Sequence, residues 1–103
     1  MSKLRRETVT IRDEPYLIRE WTPAERSEFF KRVKADPTLG SAYIAFRCTL
    51  KDETGAPLWP KEKDVTDGEV STEVCDEINK AVMKLSGVDL DAAKKDADSP
   101  PKD

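Results

Sequence analysis

Apolar and polar residues alternate from Thr8 to Arg12, placing Val9 and Ile11 on one face of an extended segment. Tyr16 to Trp21 is extended in the same manner, with Tyr16 and Ile18 in phase. Asp13-Glu14-Pro15 between them has the chemistry of a turn, so the two runs predict a β-hairpin. An isolated hairpin is marginal in water and must pack against the helices downstream of it. The period then changes. Thr22 is suited to cap a helix, Pro23 to occupy its first position, and Glu25 to complete a capping box. This predicts a helix over 23–35, with Phe29 or Phe30 and Val33 facing the core, ended by Asp36-Pro37.

A second helix is predicted over 38–51, its apolar stripe formed by Leu39, Ala42, Tyr43, Phe46 and Leu50. Asp52-Glu53-Thr54-Gly55 turns the chain, and Leu58 and Trp59 are the strong apolar anchors of an extended link. Residues 61–69 read as a loop or a single short turn. The third helix has Ser71 as N-cap, a stripe of Val74, Ile78, Ala81, Val82 and Leu85, and Gly87 as its stop. Val88 closes back on Met83 in the manner of a Schellman motif. The expected fold is α+β: a small N-terminal β-hairpin packed on about three helices. Residues 1–7 are expected to be a flexible N-terminus, 8–88 a single domain and 89–103 a flexible tail. That tail holds eight charged residues and two prolines.

Length and charge narrow the function. A chain of 103 residues supports one domain with a thin core. The net charge of −3 comes from acidic and basic residues mixed along the chain. No basic face survives that mixing, so nucleic acid is not the expected partner. No apolar run approaches the roughly 18 residues of a membrane span, and the N-terminus lacks the apolar stretch of a signal peptide.

The chain has no histidine, which removes the commonest general base near neutral pH and the commonest metal ligand. Cys48 and Cys75 form no CxxC pair and read as free, partly buried thiols, with a disulfide or redox role as the alternative. The four glycines are isolated, and none builds a phosphate loop. No catalytic residue, cofactor site or metal site is assigned, and the expected activity is protein binding and not catalysis.

The aromatic residues are the remaining candidates. Adjacent Phe29 and Phe30 point about 100° apart on a helix, so either the core wraps both or one spills onto a contact surface. Trp59, between prolines in a polar connection, either pins that loop to the core or anchors a partner. The candidate partner-binding residues are therefore Phe29, Phe30, Tyr43 and Trp59.

Four stretches resemble the tail assembly chaperones of long-tailed bacteriophages with flexible, non-contractile tails. They are 16–26, from Tyr16-Leu17-Ile18 into Thr22-Pro23-Ala24-Glu25-Arg26; the helix, acidic-Gly turn and Pro-Leu-aromatic segment over 45–59; the ending Val82-Met83-Lys84-Leu85-Ser86-Gly87; and the charged tail with Ala92-Ala93-Lys94-Lys95. Together they span roughly residues 9–95, and order and spacing carry the likeness where no single motif does. Trp59, where phenylalanine is more usual, and the longer Pro-containing tail depart from the family.

The resemblance implies a non-virion protein of the infected host's cytoplasm. It would bind the aggregation-prone tape measure protein, keep it soluble and recruit tail tube subunits. It also implies a programmed frameshift near the end of the shorter product, for which Lys94 and Lys95 mark the position. Self-association is compatible with a thin core and spare apolar surface. The rival readings are a stoichiometric adaptor or inhibitor, such as an antitoxin or anti-host factor, and a minor head–tail structural protein.

Overall fold

A two-residue turn at Arg12-Asp13, both with positive φ (52° and 65°), starts the fold by folding β1 (Arg6–Ile11) onto β2 (Glu14–Arg19). Positive φ at both central residues is the geometry whose twist matches paired strands. The turn therefore lies earlier than the expected Asp13-Glu14-Pro15, and Pro15 sits inside β2 opposite Thr10. Its missing N–H costs no pairing. Thr10↔Pro15 lies between the hydrogen-bonded pairs Ile11↔Glu14 and Val9↔Tyr16, and the third strand reaches only Leu17 and Ile18.

The computed structural model of the chain describes residues 4–88. The expected flexible tail, 89–103, lies outside them. At the other end the strand starts earlier than expected, since Arg6 and Glu7 already belong to β1 and the Arg5 carbonyl accepts from Glu20 N at 2.9 Å.

Helix α1 (Pro23–Ala35) begins and ends as predicted, with both hydrogen bonds of the Thr22/Glu25 capping box formed. Asp36 closes α1 through its N–H to the Arg32 carbonyl and caps α2 (Pro37–Cys48) by accepting from Thr38 N. The second helix is shorter than the predicted 38–51. At Thr49 the chain becomes extended without an intervening loop, and Thr49–Leu50 form β3 against β2. Leu50 is buried by this pairing and by its bridge to Pro57 on the other side. The connection between them is held by Lys51 N to the Ala56 carbonyl, by the Asp52 side chain accepting from Thr54 N, and by Gly55 at φ +92°.

The buried face of α2 also differs from the predicted stripe. Gly40, Ser41, Ala42, Ile44, Ala45 and Cys48 face inward, while Leu39 is exposed and Tyr43 and Phe46 are half-buried. The cause is position: α2 packs on α1, on α4 (Thr72–Leu85) and on the short α3 (Lys63–Thr66) together. A helix enclosed on several sides needs small residues where neighbours approach. A Cβ on Gly40 would lie 2.4 Å from Cγ2 of Val33 and 3.3 Å from the Phe29 ring.

Residues 61–69 contain α3 (Lys63–Thr66), which buries Val65. Helix α4 (Thr72–Leu85) starts at Ser71, whose hydroxyl accepts from Val74 N. Val74, Cys75, Ile78, Val82 and Met83 enter the core, with Ala81 and Leu85 at its margin. Gly87 at φ +86° donates to Lys84 and Val88 donates to Met83 (2.8 Å), both bonds of a Schellman stop. Helix α4 also packs on β1 and β2. The fold is α+β: among the described residues, a three-stranded antiparallel sheet in the order β1-β2-β3 with four helices. No described helix is long and apolar enough to cross a membrane.

Candidate partner-binding site

Glu25 organises the surface between the sheet and α1. Its carboxylate is 2% exposed, placed there by the first turn of α1. Arg19 from the end of β2 grips it with two bonds of 2.8 Å, and Arg47 from the last turn of α2 adds Nε to Oε2 at 2.8 Å. Thr22 N supplies a fourth donor, also at 2.8 Å. Nη1 and Nη2 of Arg19 also donate to the carbonyls of Glu20 and Arg47. One carboxylate thus joins β2, α1 and α2. Burial pushes its pKa up, but Arg19, the Thr22 amide and Arg47 outweigh burial and hold it at about 2. The sequence marked Glu25 as a cap but not as an ionic hub; the signal was an Arg six residues before a capping-box Glu.

That hub fixes the β2–α1 junction, and Trp21 sits in the junction. Its ring is buried against Phe29 (5.5 Å between centroids), and Trp21 N donates to the Ser86 hydroxyl at the end of α4. Phe29 in turn meets Phe30 edge-on at 5.3 Å. Phe30 stands 46% exposed with the Arg26 guanidinium over its face. Trp21, Pro23, Arg26 and Phe30 line an open cleft of about 550 Å³. Its chemistry is an aromatic wall with one cation, Arg26, and one carboxylate, Glu20, in the lining.

The four candidate residues do not form one surface. Phe29 is 6% exposed and is corrected from contact residue to core, where it backs Phe30. Tyr43 is half-buried under the Arg32 guanidinium, 4.3 Å from the ring centre, and burial raises its pKa. Trp59 is half-buried and packs on Tyr16 at 6.3 Å, so it pins the connection to the hairpin. With Tyr16, Leu58 and Val70 it lines a separate cleft of about 610 Å³ bordered by Glu14, Asp64 and Glu69. Phe30 and Trp59 share no lining residue. Leu39, which the sequence assigned to the core, is 45% exposed beside Arg32 and Glu62. Lys94 and Lys95 lie outside the described residues.

Among the described residues no group of three or more Cys, Asp or Glu is placed to hold a metal ion. Cys48 and Cys75 are buried and free; burial first, then the neighbouring Glu25, pushes the Cys48 thiol up to about 12. A thiol so far above neutrality is protonated and a poor nucleophile. No family model matches the chain, and no curated protein or solved structure is significantly similar to it.

Proposed function

We propose that the chain is a tail assembly chaperone of a long-tailed phage, binding the tape measure protein in the host cytoplasm, keeping it soluble and bringing tail tube subunits to it. The observation that carries the proposal is the aromatic cleft at the start of α1, where Phe30 projects beside Trp21 on a junction fixed by the Glu25 hub. An exposed aromatic ring on a rigid base is suited to receive the apolar stripe of an amphipathic helix. The chain's net negative charge would help keep such a complex dissolved. The identity of the partner rests on the resemblance read from the sequence. Each contact is small, so affinity for a long rod comes from many copies acting together.

Co-expression with the tape measure protein of the same genome tests this. The expected result is that the partner stays soluble and co-elutes with several copies of the chaperone per rod. Phe30→Ala is expected to reduce co-elution by about tenfold or more while unfolding stability changes by no more than about 1 kcal/mol. Retention of full rescue by Phe30→Ala would remove the cleft from the proposal. A tight one-to-one complex with a globular target, and none with the tape measure protein, would establish the adaptor reading in its place.

A further inference from the structure

The two edges of the sheet are finished differently. Beyond β3, Leu50 bridges to Pro57, Lys51 N reaches the Ala56 carbonyl and Leu58 N reaches the Thr49 carbonyl, so that edge is covered. Beyond β1 no strand or backbone partner lies among the described residues. The hydrogen-bond phase of β1 follows from its pairing. The two-residue turn closes on Ile11↔Glu14, and bonding alternates to Val9↔Tyr16, Glu7↔Ile18 and the Glu20 N to Arg5 carbonyl bond. The N–H and C=O groups of Arg6, Thr8 and Thr10 therefore point away from β2.

These residues are exposed, and the strand carries neither proline nor bulge, two devices that commonly protect an open edge. Main-chain groups at every second residue are what an added strand requires.

We infer that this edge pairs antiparallel with β1 of a second copy, across a two-fold axis at Thr8, to form a six-stranded sheet. The register follows from phase and charge. Outward-facing residues must oppose each other, which requires even-numbered positions to meet even-numbered positions. Centring the pair on Thr8 sets Arg6 opposite Thr10, Glu7 opposite Val9 and Arg5 opposite Ile11, with no like charges directly opposed. Centring on Glu7 opposes two glutamates, centring on Arg6 opposes two arginines, and centring on Val9 sets Arg6 against Arg12. Centring on Thr10 leaves Arg6 and Glu7 without a strand partner. The contact is isologous and closes at two copies.

Sedimentation of the full chain over a concentration series is expected to show a reversible monomer–dimer equilibrium. Thr8→Pro removes an outward N–H without touching a β1–β2 bond and is expected to weaken dimerisation by at least tenfold. Thr8→Cys supplies a test that does not depend on tolerance of proline. In the paired strands its two Cα atoms lie about 5.5 Å apart, within the roughly 4.4–6.8 Å of a disulfide. Thr10→Cys places its pair four residues out of register, roughly 13 Å apart along the strands. Under a mild oxidant Thr8→Cys should form a covalent dimer and Thr10→Cys should not, the native Cys48 and Cys75 being buried. A monomer at every concentration, an unaffected dimer in Thr8→Pro, or equal cross-linking at the two positions would each overturn the inference.

Discussion

Replacing Glu25 with alanine is expected to destabilise the domain by about 3–5 kcal/mol, the range for removing one partner of a buried ion pair. The loss arises less from the attraction itself than from what stays behind. Arg19 is only 16% exposed, and with Glu25 gone two of its donors face protein with no acceptor. Arg47 is half exposed and rehydrates, which keeps the effect toward the lower end of the range. Thr22 N also loses its bond, opening the capping box. Against a typical total stability of about 5–15 kcal/mol, such a loss leaves a domain of this size marginal. Urea unfolding at pH 7 measures it, and a loss below about 1 kcal/mol would show that the hub contributes little.

The same group sets an acid limit. The Glu25 pKa is lowered on folding from 4.5 to about 2, so the folded state favours the charged form. Its contribution is complete above pH 4.5 and disappears as pH falls from there toward 2. The amount is on the order of 3 kcal/mol. The gap in unfolding free energy between the native chain and Glu25→Ala should therefore narrow across that window. A gap that stays constant between pH 5 and pH 3 would contradict the electrostatic account.

Ile44→Ala is expected to cost about 2–5 kcal/mol, because the side chain is fully buried where α2 meets its neighbours and leaves a cavity. Leu39→Ala, five residues earlier and on another face of the same helix, should change stability by only about 0.5 kcal/mol, since Leu39 is 45% exposed. Thermal or urea unfolding of the two variants decides which face of α2 carries the core. A larger loss for Leu39→Ala than for Ile44→Ala would mean that the apolar stripe read from the sequence, and not the observed one, faces inward.

That pair of variants also marks where the sequence was and was not legible. Elements set by local chemistry were readable. The Thr22/Glu25 capping box fixed the start of α1, and Ser71 and Gly87 fixed the two ends of α4. Elements set by distant neighbours were not. The inward face of α2 depends on three helices closing around it, so Gly40 and Ala45 were needed where bulk alone pointed to Leu39, Tyr43 and Phe46, while Ala42 faces inward as predicted. Strand β3 is two residues long and exists because β2 offers an edge to Thr49 and Leu50. No periodicity can show in two residues.

The candidate site divides in the same way. The sequence could state that Phe29 and Phe30 diverge, and only packing could decide which one emerged. Trp59 was legible as an anchor, and its choice of Tyr16 over an outside partner depended on how the hairpin folds back. The Glu25 hub was the least visible feature, because Arg19, Glu25 and Arg47 are brought together by three separate elements.

The burial of the two cysteines turns them into internal clocks. With its pKa near 12, Cys48 presents a thiolate fraction on the order of one in ten thousand at pH 8, and its sulfur is enclosed by the core. An alkylating reagent reaches it at an appreciable rate only in molecules that have opened. Cys75 sits in the first turns of α4 and Cys48 at the end of α2, so the two thiols report on different helices of the domain. Matching labelling rates at the two positions would show that the chain opens as one cooperative unit. Faster labelling of Cys75 would show that α4 lifts from the sheet while the Glu25-linked half stays closed.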